Sequence, residues 1–317
     1  MNSHLLGSIA ALTTACLWTF NAIFFSAAGK RIGAVAVNGY RILMAVVFLS
    51  LAHIPLFFFV FNGDPSIRWL WEANSTMWWW VGLSGIVGLA IGDMALFTAL
   101  VVIGPRRSVL LMALAPIFAA FSAFLLIGEK LPELAIIGIT ITLTGVVIVI
   151  LERDEASDEE PLDTRTKTWG IVLGIIGAAG QGTGLTLSKV GMNAGLPEGA
   201  EPLNALSATL IRMLIGSVAL WIGIILMGRM NEIRAAPSNR KGMKYTAAGA
   251  FIGPFLGVTL SLFAAQYTYV GVAQTLMSLM PVLIIPVVYV LYRQRTSFRG
   301  IAGACIAVFG VSLLMFL

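Results

Sequence analysis

Along this chain apolar residues gather in long blocks separated by brief polar interruptions, with little of the period-two alternation that marks a half-buried strand. The blocks fall at 5–28, 35–61, 77–103, 107–127, 132–151, 169–192, 203–227, 245–270, 272–292 and 298–317. Each is near the roughly 20 residues that an α-helix needs to cross a hydrocarbon core ~30 Å thick. Ten transmembrane helices are predicted, since a helix satisfies its backbone hydrogen bonds internally where no water can. The short interruptions GPRR at 104–107 and RQRTSFR at 293–299 make their flanking helices antiparallel neighbours. The one long polar stretch, ERDEASDEEPLDTRTKT at 152–168, is acidic and falls between the fifth and sixth blocks.

A long connection at the midpoint prompts a test for duplication. A shift of 165 lays LLMALAPIF (110–118) on TLMSLMPVL (275–283), pairing Leu111 with Leu276, Met112 with Met277, Leu114 with Leu279 and Pro116 with Pro281. The same shift pairs Gly88 with Gly253, Gly92 with Gly257, Gly138 with Gly303 and Gly145 with Gly310. Leu-rich helices overlap by chance, but aligned Gly and Pro do not follow from that. In the second helix the shift becomes 171 and pairs Arg41 with Arg212, the offset changing only in connections, where insertions are tolerated. The chain thus divides into a first five-helix repeat at 1–151, an acidic linker at 152–168 and a second five-helix repeat at 169–317. Five is odd, so the second repeat enters the membrane inverted, an architecture common among secondary transporters.

Composition and charge agree and add an orientation. Of 317 residues 58% are hydrophobic and 11% charged, where soluble domains carry about a quarter charged residues, so the chain is an all-α integral membrane protein. Its net charge of +5 is no nucleic-acid footprint, because fifteen of the 20 Lys and Arg residues sit in the odd-numbered connections and only Arg68 and Lys130 in even ones. By the positive-inside rule the odd connections are cytoplasmic and both termini lie outside. No Lys or Arg precedes the first block and no small-residue cleavage site follows it, so it is expected to be a retained helix. Cys16 and Cys305, in apolar runs near opposite ends of the chain, make neither a disulfide framework nor a metal motif.

The runs GDMALFTAL, PRRSVLLMALAPIFAAFSAFLLIGEKL and GITITLTGVVIVI resemble the EamA-type repeat of the drug/metabolite transporter superfamily, with its Pro in the fourth helix and Gly-Glu at that helix's end. The resemblance covers essentially the whole chain. It implies a transporter fold, and for substrate only a broad range, since members export or exchange amino acids, nucleotide sugars, drugs and other metabolites. It also implies cytoplasmic termini, against the charge count; the charge count is preferred because it acts on this chain's own residues. Gly128 and Glu129 fit the family pattern, whereas the second copy has Arg293 and Gln294.

Four charged residues lie inside the blocks: Asp93, Arg41, Arg212 and Lys189. An Asp at mid-membrane costs on the order of 3 kcal/mol or more unless it finds a partner, a water-filled cavity or a proton. Asp93 is therefore either half of a structural ion pair with Arg41, Arg212 or Lys189, or a cavity carboxylate that takes up a proton or meets a cationic substrate group. Its repeat-related position is Val258, and an architectural role would have been duplicated, which favours function. The two arginines either snorkel to the interface or face the cavity. Lys189 aligns with Ser26, where the resembling family often has a basic residue facing the central cavity. WTFN (Trp18 to Asn21) and QGTG (Gln181 to Gly184) occupy corresponding positions of the two halves, where transporter sites form near the midplane. Helix packing alone explains the glycines, but the amides of Asn21 and Gln181 need partners inside the protein. His53 reads as a packing residue, Pro116, Pro254, Pro281 and Pro286 as kinks, and Trp69, Trp71, Trp78, Trp79 and Trp80 as an interfacial belt.

These residues point to a monomeric secondary transporter, an exporter of a small polar metabolite working by alternating access and coupled to protons. An anion or phosphometabolite exchanger, or a lipid-headgroup translocator, is the second reading, since three cations face one acid. An intramembrane enzyme is disfavoured by the absence of His-Glu-x-x-His, of Gly-x-Ser-x-Gly and of paired aspartates in helices. A retinal-type Schiff base on Lys189 fits poorly with ten helices and a duplicated half. The expected partners are a small solute and membrane lipid, without nucleic acid, cofactor or metal, in a bacterial or archaeal cell membrane. For orientation, a reporter active only outside the cytoplasm, fused after Leu317, is expected to be active; activity of a cytoplasm-only reporter at that position would reverse the assignment.

Overall fold

The computed structural model describes residues 3–60, 64, 67–152, 163–197, 199–292 and 297–317; most of the acidic linker, with Arg293 and Gln294, lies outside them. Among the described residues ten helices are long and apolar enough to cross a membrane: α1 (Ser3–Ile32), α2 (Ala34–Phe59), α3 (Ser75–Val102), α4 (Arg107–Ile127), α5 (Glu133–Leu151), α6 (Thr164–Asn193), α7 (Ala205–Leu226), α8 (Arg240–Tyr267), α9 (Val270–Val287) and α10 (Phe298–Met315). Polar residues set several of their ends. Asn74, Asn204 and Ser297 accept a backbone N–H at the starts of α3, α7 and α10. Asp163 does the same from Thr166, so α6 begins at Thr164, inside the stretch expected to be linker. Gly128, at φ +66, ends α4 in a left-handed turn that a side chain would strain.

Four helices are interrupted, at repeat-related places. α3 widens into π-helical turns at Ile86–Gly92 and α8 at Phe251–Gly257. α4 breaks around Ala113 and Leu114, α9 around Ser278 and Leu279. Pro116 and Pro281 follow those breaks in the first turn of the resumed helix, where a missing N–H costs little. Pro254 lies within the π-helical turns of α8, while Pro286 is carried inside a continuing helix.

Packing runs between the halves. α1 lies on α8 and α9 as α6 lies on α3 and α4; α2 meets α7, α4 meets α9, and α5 meets α10. Helix by helix these contacts are repeat-related, as in two inverted copies, although α4 and α9 meet mainly through Ala115–Ile127 and Val270–Met277. Glycine permits the closest approaches. A Cβ on Gly145 of α5 would stand 2.3 Å from the Ala307 nitrogen of α10, and one on Gly310 of α10 2.5 Å from the Thr142 nitrogen of α5. The aromatic belt is partly corrected: Trp71 and Trp79 are 58% and 68% exposed, but Trp69 is buried, packed with Trp71, Phe57 and His53. His53 is a packing residue, its Nε2 3.3 Å from Ser207 Oγ.

Gly145→Ala forces backbone apart and is expected to cost about 1–3 kcal/mol. Gly223→Ala in α7, where a Cβ meets nothing within 4 Å, is expected to be neutral or slightly stabilising. Thermal unfolding of the two variants in one detergent separates these outcomes.

Candidate functional site

Asp93 is the first residue of α-helical geometry after the π-helical turns of α3, and it is 4% exposed. π-helical turns displace the following side chains around the helix, and here they deliver the carboxylate to the interior between the two repeats. Arg41 Nη2 of α2 donates to one of its oxygens and Gln181 Nε2 of α6 to the other at 2.5 Å. Arg41 Nε also donates to Asn38 Oδ1 at 2.9 Å. The same guanidinium lies 5.6 Å from the ring centre of Phe25 and 5.4 Å from that of Phe97, close enough for cation–π attraction. Asp93 is thus ion-paired and also lines a cavity.

Arg212 lies at the position equivalent to Arg41 but points elsewhere. Its Nη1 donates to the Gly184 carbonyl at 3.0 Å and to Ser188 Oγ at 2.6 Å, and its Nη2 lies against Gly88, where a Cβ would be 2.5 Å away. The offset of 163 that aligns α1 with α6 puts Asn21 at the Gly184 position and Phe25 at the Ser188 position. The crevice that receives Arg212 in one half is therefore filled in the other, and Arg41 turns inward to Asp93. Neither arginine snorkels: Arg212 is 4% exposed. Its Nε has no hydrogen-bond partner, nor has the buried Oδ1 of Asn21, which lies against Gly249 and Gly253 of α8. Trp18 rests on Gly257, the glycine before Val258, as Gln181 stands beside Gly92 and Asp93.

These residues line a cavity of 390 Å³ between the halves. Asp93, Arg41, Arg212, Gln181 and Asn21 make a polar arc, faced by apolar wall from Leu96, Met112, Leu185 and Met277. The lining reaches almost to the ends of α3 and α5, at Leu100 and Ile150, on the face of the odd-numbered connections, called the basic face below. Toward the opposite face it stops at Leu185, Ser261 and Gln274. There the connections are knitted together: Asn204 N donates to the Arg68 carbonyl at 3.1 Å, Arg68 Nε to that of Glu201 at 3.1 Å, and Asn74 Nδ2 to that of Ala194 at 3.0 Å.

Lys189 does not join Asp93. Its Nζ donates to the Thr268 carbonyl at 2.9 Å and lies 3.7 Å from Glu129 Oε1, near the closed face and outside the cavity lining. The excess of three cations over one acid expected for the cavity is corrected to two arginines and one aspartate. Burial raises the Glu129 carboxyl above the usual carboxylate range, opposed by the Lys189 charge and the Val270 N–H.

A family model described as "EamA-like transporter family" matches residues 5–151 and again 168–316. This chain belongs to the EamA-like transporter family. The two matched segments coincide with the two five-helix halves, and a transporter family implies no catalytic chemistry. No curated protein matches the sequence. A crystal structure described only as "Crystal structure of protein" has a similar fold, with TM-score 0.71 at 17% identity over 97% of this chain and 95% of its own.

Of the positions singled out in this EamA-like chain, Asp93, Arg41, Arg212, Gln181, Asn21 and Trp18 converge on one cavity and Lys189 does not. Phe25, Phe97, Gln274 and Ser278 also line it, and inspection of polar residues within the apolar blocks missed them. The repeat alignment held a signal for one: Gln274 stands where the first half has Val109. The contact between Arg212 and Gly88 is open to a double-mutant cycle. Gly88→Ala is expected to lower stability by about 1–3 kcal/mol when Arg212 is present and by less than about 0.5 kcal/mol in an Arg212→Met background, read from unfolding in detergent.

Proposed function

We propose that this chain is a secondary transporter that exports a small amphipathic metabolite by alternating access, with proton movement coupled through Asp93. The supporting observation is a cavity between two inverted repeats that runs toward one face, stops short of the other and carries charged groups in its lining. If the basic face is cytoplasmic, the cavity loads from inside the cell, as export requires. The polar arc suits a charged or hydrogen-bonding head group and the Leu, Met and Phe walls an apolar body. A solute group that changes the hold of Arg41 on Asp93 changes the aspartate's affinity for a proton, which links solute binding to proton binding. Release of the solute reverses the change.

The second reading, an anion exchanger, is favoured by one observation: two guanidinium groups stand near one carboxylate, and Arg212 Nε has no partner. An arginine can hold a carboxylate or phosphate bidentately.

A thermal-stability screen of the purified protein against metabolites finds a ligand, because binding to the folded state raises apparent stability. With that ligand in vesicles, Asp93→Asn is expected to retain exchange at equal pH on both sides and to lose accumulation driven by a pH gradient. Full gradient-driven uptake in the variant would remove Asp93 as the coupling group. Arg212→Gln is expected to weaken anionic ligands at least tenfold more than neutral ones of the same size; equal losses would assign Arg212 to the fold alone.

A further inference from the structure

The closed face carries an ionic contact with no repeat-related counterpart. Gly128 turns the chain out of α4, and Glu129 Oε1 accepts the first N–H of α9, from Val270, at 2.9 Å. Lys189 of α6 lies 3.7 Å from that oxygen and donates to the Thr268 carbonyl in the tight α8–α9 turn. The two side chains thereby join the end of α4, in the first repeat, to α6 and the α8–α9 turn, in the second. α1 reinforces the same place, where a Cβ on Gly7 would stand 2.9 Å from the Thr268 nitrogen.

The repeat offsets put Gln294 at the position of Glu129, Ser26 at that of Lys189 and Pro105 at that of Val270. Gln is neutral, Ser carries no charge and Pro has no N–H to donate. Two inverted copies reach the opposite state by exchanging conformations, so the closure then formed on the basic face is made by residues that cannot reproduce this contact. The contact is also incomplete. Glu129 Oε2 is buried without a hydrogen-bond partner, and 3.7 Å exceeds hydrogen-bond reach, so the closed state holds a carboxylate that is only partly satisfied.

We propose that Glu129 and Lys189 form a one-sided latch, positioning residues that hold the cavity shut away from the basic face and part when it opens there. The latch rests on the alternating-access reading above. It touches no part of the cavity lining and acts only on which face has access.

The test labels a cavity cysteine from each face. Ala22→Cys, at a half-buried position of the cavity lining and placed in a Cys16→Ser/Cys305→Ser background, is exposed in sealed, oriented vesicles to a membrane-impermeant maleimide. Without latch variants, labelling is expected to be fast from the basic face and slow from the other. Glu129→Gln keeps an acceptor for Val270 N–H and removes the charge; Lys189→Met removes the cation and keeps the length. Each is expected to speed labelling from the far face about tenfold relative to the basic face, a shift of about 1.4 kcal/mol. Combining them is expected to add little, because each alone breaks the same pair. An unchanged ratio of the two rates in the variants that fold, even with lowered thermal stability, would overturn the latch and leave a purely structural ion pair. Should one variant fail to fold, the other decides by the same ratio. Since labelling needs no solute, the result stands apart from the substrate and coupling assignments, which the Asp93→Asn experiment addresses.

Discussion

An ionised carboxylate deep in a membrane protein persists only where fixed donors replace the water it has lost, and the centre of this molecule is arranged around that requirement. Asp93 receives Arg41 from α2 and Gln181 from α6, two helices of different repeats. To bring them there, α3 must lie against α6 with almost nothing between, and the glycines at 88, 92, 180 and 184 allow it: a Cβ on Gly180 would stand 2.7 Å from the Gly92 Cα. The π-helical turns before Asp93 set its direction. Charge, close helix approach and helix irregularity form a single arrangement, in which loss of one member leaves the others without purpose.

Much of this is written in the chain, and the part that is not has a physical reason. Ten helices follow from block length, and the inverted duplication from glycines and prolines at a constant offset, because both depend on backbone properties that sequence carries directly. That Asp93 needs a partner is equally legible from the cost of an unpaired charge. Which partner it takes is not: Arg41, Arg212 and Lys189 are all cations on apolar helices, and the choice turns on whether a crevice is empty, as at Gly184 and Ser188, or occupied, as at Asn21 and Phe25. The pairing of Lys189 with Glu129 joins positions on different repeats and depends on where the tight α8–α9 turn comes to rest. Trp69 and Trp71 look alike in sequence, yet one is buried in an aromatic cluster and the other largely exposed.

The two halves share their mechanics and differ in their chemistry. Both carry π-helical turns in the third helix, a break in the fourth and an arginine in the second. Asp93 against Val258, Gln181 against Trp18, and Glu129 against Gln294 are the differences. The irregularities of the third and fourth helices stand in duplicate, whereas Pro254 and Pro286, opposite Leu89 and Phe121, stand in single copy. Among side chains that bind charge, Arg41 and Arg212 are paired but take different partners, while Asp93, Glu129 and Lys189 stand in single copy.

The glycine contact between α5 and α10 carries a consequence of its own. Gly138 and Gly145 meet Leu314, Gly310, Gly303 and Ala307 so closely that main chain lies on main chain, leaving few side chains whose rotamers could change to accommodate sliding. Such a seam transmits torque but does not shear. Close-packed main chain offers no alternative packing, so the seam ties the last helix of one repeat to the last helix of the other as a single stiff unit.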